Sequence, residues 1–138
     1  MAAPDFNAQV IAEFRANGGH VGGNFEGSNL LLLHTEGARS GTHYTNPVMY
    51  HEDAGRYVIV ASKAGAPSNP GWYHNLTANP DARIEVGDQL VEVTAEEVTG
   101  AERDRIYADW VERVPQFGEY QDRTERVIPI IALTPKGD

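Results

Sequence analysis

Six short stretches with strand character, and little helix between them, constrain this chain most. They lie near residues 30–34, 44–51, 56–61, 82–87, 89–98 and 127–133. Explicit turns separate several of them. Glu52-Asp53-Ala54-Gly55 reads as a hairpin turn in which Gly55 supplies a positive φ, and Val86-Gly87-Asp88-Gln89 reads the same way. In the stretch 89–98, Leu90, Val91 and Val93 stand against Gln89, Glu92 and Thr94, a half-buried pattern. The strands do not alternate with helices as in βαβ units, so the expectation is a mainly β, α+β fold: an antiparallel barrel or sandwich of about six strands with peripheral helices.

Three helices are expected at the periphery. Residues 5–17 place Val10, Ile11 and Phe14 on one face and Glu13 and Arg15 on the other, and Asn17-Gly18-Gly19 stops the run. Asn69-Pro70 puts a capping residue before a Pro at the first helical position, and Asn79-Pro80 ends that helix. Thr99-Gly100-Ala101-Glu102 fits a capping box, after which Ile106, Trp110 and Val114 recur at spacing four until Pro115. The segment 114–120 reads as an irregular loop bearing Phe117 and Tyr120.

A chain of 138 residues is most simply one domain, here 1–138, long enough to fold without staples. It contains no Cys, which excludes disulfides and thiolate chemistry. With no apolar signal core and no run approaching the roughly 20 residues that span a bilayer, the expectation is a soluble cytoplasmic protein. Helix 5–17 leaves peripheral contact with a membrane surface as a minor reading, since its face has few cations. A formal charge of -9 argues against nucleic acid as a partner. His20, His34, His43, His51 and His74 are scattered without metal-ligand spacing, so no metal site is expected. GxGxxG after a strand and GxxxxGK[ST] are both absent.

In so acidic a chain, two loops stand out. Thr35-Glu36-Gly37-Ala38-Arg39-Ser40-Gly41-Thr42 follows the apolar run 30–33, and Ala61-Ser62-Lys63-Ala64-Gly65-Ala66 follows the run 57–60. Each is a strand running into a Gly-rich, basic, hydroxyl-bearing loop. Arg39 offers a planar fork of donors matched to phosphate and Lys63 a compact charge, while Gly41 lets backbone N–H groups approach a ligand. The Asn69-Pro70 helix start would add positive dipole nearby. Taken singly, each loop reads first as a solvated turn; together they suggest a phosphate-bearing cofactor. Trp72, Tyr73 and Leu76 sit at helical spacing and read first as core.

Taken in order, these pieces resemble the deazaflavin (F420)-dependent nitroreductase family. The resemblance rests on Gly37, Arg39-Ser40-Gly41 and Asn46-Pro47, then Ala61-Ser62-Lys63, Gly65-Ala66, Asn69-Pro70, Trp72-Tyr73 and Asn79-Pro80, and a closing Tyr120-Gln121 with Arg123, Arg126 and Ile128-Pro129. It implies a split β-barrel that binds coenzyme F420 and passes a hydride from the reduced cofactor to a quinone, a nitroaromatic or an enone. It implies cofactor contacts at Arg39, Ser40, Gly41, Asn46, Pro47, Ala61, Ser62, Lys63, Gly65, Ala66, Asn69, Trp72 and Tyr73. Ser62 or Tyr120 would orient or protonate the acceptor. Tyr44 departs from the pattern, since similar proteins usually carry Arg there. An FMN-dependent split-barrel enzyme, or a non-catalytic carrier of F420 or of small apolar molecules, stands as the alternative. The chain could act as a monomer or a homodimer.

Overall fold

The computed structural model describes residues 6–18, 29–37, 41–62, 70–125 and 127–136. Its helices are α1 (Phe6–Ala16), α2 (Gly71–Ala78), α3 (Gly100–Arg113) and α4 (Gln116–Asp122), and its strands are β1 (Leu30–Glu36), β2 (His43–Met49), β3 (His51–Asp53), β4 (Arg56–Val60), β5 (Asp81–Val86), β6 (Gln89–Val98) and β7 (Ile130–Pro135). All seven strands join one sheet in the order β2-β1-β5-β6-β7-β4-β3. Every neighbouring pair is antiparallel.

The stretch expected as one strand at 44–51 is two. β2 pairs with β1, β3 pairs with β4, and only Tyr50 separates them in the chain. Because β2 and β3 stand at opposite ends of the strand order, the sheet curls until its edges meet. Tyr50 turns the corner: its N–H donates to the Asn29 carbonyl at 3.1 Å, and its ring meets that of Tyr57 edge-on, centroids 5.5 Å apart. The result is the split β-barrel expected above.

Strand alternation then sorts the apolar residues. Leu31 and Leu33 of β1, Ile59 of β4, Ile84 of β5, Val93 of β6 and Ile131 and Leu133 of β7 fill the inner face with Trp72 and Leu76 of α2. Their neighbours face outward and are buried too. Leu30 and Leu32 meet Val10 and Phe14 of α1. Val58, Val60, Ile130 and Ala132 meet Ile106, Tyr107 and Trp110 of α3 and Phe117 of α4. Continuous apolar runs are what strands covered on both faces require. Burying each such side chain contributes roughly 1.5–3 kcal/mol, whereas an exposed ion pair contributes about 0–1 kcal/mol. The strand interiors, not surface charges, hold the barrel.

Both expected hairpin turns form. Ala54 and Gly55 join β3 to β4 with φ of 53° and 80°, and Gly87 turns β5 into β6 at φ 56°. Other details differ. Leu90 is 59% exposed; adjacent strand residues face opposite sides, so with Val91 and Val93 inside Leu90 must point out. The last strand starts at Ile130 rather than 127, after Pro129, which has no N–H for a ladder. The capping box at Thr99 does not close: Thr99 makes no side-chain cap bond, Gly100 enters the helix at φ 68°, and Glu102 pairs instead with Arg56 at 3.1 Å. Pro70 is the extended N-cap of α2 rather than its first helical residue. The expected loop at 114–120 holds the helix α4, whose Phe117 is buried against Trp110. No helix among the described residues is long and apolar enough to cross a membrane.

Candidate functional site

Strand direction brings the starts of the two unusual segments to one end of the barrel. β1 and β2 are antiparallel, β2 continues into β3, and β3 and β4 are antiparallel. β1 and β4 therefore run the same way, and the segments that follow them leave the same end of the barrel. At the first exit, the Gly37 N–H donates to the Thr42 carbonyl at 2.7 Å and the Gly41 N–H to the Gly37 carbonyl at 3.0 Å. Gly41 holds φ at 72°, with no atom within 4 Å of where a Cβ would sit, so conformation rather than crowding calls for glycine there. At the second exit, the Ala61 N–H donates to the Pro129 carbonyl at 2.9 Å; Ala61 is fully buried and Ser62 is 9% exposed.

Helix α2 lies across this end and is tied to both sides of it. Asn75 Nδ2 donates to Oγ1 of the buried Thr35 at 3.0 Å, and Asn79 Nδ2 donates to Glu36 Oε1 at 3.4 Å. On the far side the Tyr73 hydroxyl donates to Glu97 Oε1 at 2.6 Å. That hydrogen bond to a carboxylate pushes the Tyr73 phenol up to about 12. Trp72 and Leu76 meanwhile plug the barrel interior.

The expected site residues distribute as follows. Asn46 pairs with Leu33, so it faces inward beside the exit, in line with Val48 and the half-exposed Tyr44. Ala61 faces the same interior and Ser62 follows it. Trp72 is core, as its helical spacing implied, and Tyr73 stands at the rim. Pro47 pairs with Leu32 and so faces the α1 side of the sheet. Tyr120 packs in the outer layer against Phe117, ring centroids 5.1 Å apart, with the Arg123 guanidinium 5.8 Å from its ring. Arg39, Ser40, Lys63, Gly65, Ala66 and Asn69 lie outside the described residues.

A second polar constellation was not legible in the sequence. On the outer face of β1, His34 Nε2 lies 2.6 Å from Glu85 Oε2 and His34 Nδ1 lies 2.8 Å from His43 Nε2. Arg15 of α1 grips Glu85 through both carboxylate oxygens, at 3.1 and 2.6 Å. Thr45 Oγ1 is 3.2 Å from His34 Nδ1. The Arg15 guanidinium first, and then His34, hold the Glu85 carboxyl below the usual carboxylate range. The histidines looked scattered because only sheet register places His34 beside Arg83 and Thr45 and two residue pairs away from Glu85 and His43, on the same face. Two open clefts of about 390 and 420 Å³ flank this cluster, and both are lined by His34, His43 and Arg83. Among the described residues no group of three or more His, Asp or Glu could hold a metal ion.

A deazaflavin needs a flat slot, polar groups at its edges and cations for its tail. Inward-facing Asn46, the buried Ala61 and Ser62 and the start of α2 at one barrel end match the first two needs. Arg39 and Lys63, whose side-chain chemistry suits the third, lie outside the described residues.

Comparison with known proteins gives the same direction. A family model for F420H(2)-dependent quinone reductase matches residues 7–135. An F420H(2)-dependent quinone reductase of Mycobacterium tuberculosis is 42% identical over 127 residues, covering 89% of this chain and 85% of the relative. A solved F420-H2 dependent reductase, FDR-A, superposes with a TM-score of 0.68 at 40% identity, covering 75% of this chain and 92% of that one. A structure described as a domain-swapped dimer gives a TM-score of 0.71 at 35% identity over 91% of this chain and 94% of its own. HutZ of Vibrio cholerae, at 17% identity and a TM-score of 0.62 over 96% of this chain and 92% of its own, shares the fold.

Proposed function

The chain belongs to the F420H(2)-dependent quinone reductase family, and from that membership we propose that it reduces quinones with reduced coenzyme F420 at the barrel end where β1 and β4 both exit. The coenzyme, when bound, supplies the hydride; a quinone takes that hydride and one proton to become the quinol. The protein's part is orientation and electrostatics.

The common exit of β1 and β4, spanned by α2, is the observation that carries the reading. Ala61 and the apolar interior behind it exclude water from one side of a flat ring. Asn46 and Ser62 offer hydrogen bonds to its polar edge, and Ser62 is also placed to orient an acceptor oxygen. Arg39 and Lys63 neutralise an anionic tail from the two loops, aided by the positive end of α2. Ser62 or solvent gives the proton, because Tyr120 packs on the opposite face of the sheet from Ala61.

Titration of the purified protein with oxidised F420 and, separately, FMN, read by ligand fluorescence, tests this. F420 should bind selectively, and the reduced coenzyme should then be consumed on addition of a soluble quinone. Arg39→Ala and Lys63→Ala should each weaken F420 binding by roughly 1–3 kcal/mol, as charge-assisted hydrogen bonds do. Normal affinity in both variants removes the tail assignment; FMN binding alone moves the protein to the flavin-using branch; binding without turnover makes it a carrier. A relative is described as a domain-swapped dimer, and light scattering decides between monomer and homodimer here.

A further inference from the structure

We propose that the chain Arg15–Glu85–His34–His43 is a staple that fixes the stem of the β1–β2 hairpin, and that it sets cofactor affinity from the face of the sheet that does not touch the cofactor. The cofactor half of this rests on the reading given above.

The direction of each bond follows from one end. Glu85 accepts two hydrogen bonds from Arg15 and is ionised, so toward His34 it can only accept. The neutral His34 imidazole then carries its proton on Nε2, which leaves Nδ1 as an acceptor in that form. His43 Nε2–H donates to that nitrogen at 2.8 Å. The two rings are 18° from parallel with centroids 5.0 Å apart. Ring faces stacked at roughly 3.5 Å could not bring two nitrogens so close, so the rings meet edge to edge, as an in-plane N–H···N bond requires. Thr45 Oγ1, on the same face of β2, closes on the same nitrogen at 3.2 Å. One imidazole thus joins β5 to two positions of β2, and Glu85 carries the link on to Arg15 of α1.

The stem is where such a staple has most effect. His43, Tyr44 and the preceding Gly41 and Thr42 are exposed, and β2 begins with no buried residue. Apolar packing therefore does little to hold it, and an unpinned hairpin end frays at small cost. Yet this stem carries the Arg39-Ser40-Gly41 loop at its tip, and its inward residues are Tyr44 and Asn46. His34 and His43 hold it from outside, while Thr35, pinned by Asn75, holds its partner strand from inside. A preorganised binding loop loses less freedom when ligand arrives, which raises affinity without adding a contact. His34, His43 and Glu85 act through the hairpin and are positioning residues.

His34→Leu cuts both ring bonds, and His34→Gln keeps one donor and one acceptor at nearly the same reach. Two readouts separate the staple from the cofactor reading: hydrogen exchange of the backbone amides over residues 41–46, and the dissociation constant of oxidised F420. His34→Leu should speed exchange in that segment and raise the F420 dissociation constant about tenfold, with kcat at saturating cofactor and quinone near wild type. His34→Gln should recover most of both. Arg83→Ala, beside His34 on β5, should change neither. Unchanged exchange in His34→Leu overturns the staple whatever F420 does. Faster exchange with unchanged F420 affinity overturns the link to the cofactor. A wild-type protein that does not bind F420 at all overturns the proposed function and that link with it, and exchange alone then decides the staple.

Discussion

Over β4, β7 and the end of β6, the outer face of the sheet is sealed. Val58, Val60, Val98, Ile130 and Ala132 lie under Ile106, Tyr107, Trp110 and Phe117, and all are buried. Over β1, β5 and the start of β6 the same face is mostly open once α1 has covered Leu30 and Leu32. There it carries His34, Arg83, Glu85 and Leu90 along two clefts. The sealed half is where the barrel closes through β3, so it bears the stability of the fold. The open half lies behind the β1–β2 hairpin, which the polar chain through His34 is proposed to hold. On the proposal above, stability and site tuning fall to different halves of one face.

The largest expected effect that would break this comparison is in the sealed half. Trp110 is 2% exposed, and Trp110→Ala should cost about 3–5 kcal/mol, read as a lowered midpoint in urea unfolding. A cost under 1 kcal/mol would mean that α3 is an accessory to the barrel rather than part of its core.

A second test in the same half uses pH. His51 lies against Trp110 with ring centroids 4.3 Å apart, and neither ring nitrogen has a hydrogen-bond partner among the described residues. Burial, reinforced by Arg113 and opposed by Asp109, holds His51 below the usual histidine range. As pH falls through about 6.5, the unfolded chain takes up this proton before the folded one does. Stability is therefore whole above that pH and declines below it until the lower folded value is passed. His51→Phe should flatten the dependence of thermal midpoint on pH between about 7 and 5; an unchanged slope would locate acid sensitivity elsewhere.

Effects in the open half should be smaller. Arg15 is 53% exposed where it meets Glu85, so Arg15→Ala should cost at most about 1 kcal/mol of stability, diminishing further in high salt. Smallest of all, Leu90→Gln should change stability by no more than about 0.5 kcal/mol, because Leu90 is 59% exposed. A larger loss at Leu90 would show that something covers this face in solution.

Much of the fold was legible in residues alone. The doubly buried strands announce themselves as unbroken apolar runs, and the positive φ at Gly55 and Gly87 marks both hairpins. The two loops proposed to hold an anion stand out for the same local reason: Gly, hydroxyl and cation follow a strand within a few positions. What escaped was decided at a distance. Nothing local says that Tyr50 ends one pairing and begins another, since that depends on the sheet curling until its edges meet. The Thr99 capping box obeys its pattern yet stays open, because Glu102 finds Arg56, which is 46 residues away in the chain. Residues 114–120 read as loop from Pro115 and Gly118, but Phe117 gains a buried place beside Trp110, and that packing settles the helix.

The sequence by itself determined which segments become strands and where the tight turns fall, because periodicity and turn residues act over a few positions. Only the tertiary structure decided that β1 and β4 point the same way, so that both strands end at one end of the barrel. It alone also decided that His34, His43, Glu85 and Arg15 form one connected chain. Strand direction and register arise from closing a twisted sheet over a common core, and that is a property of all seven strands at once.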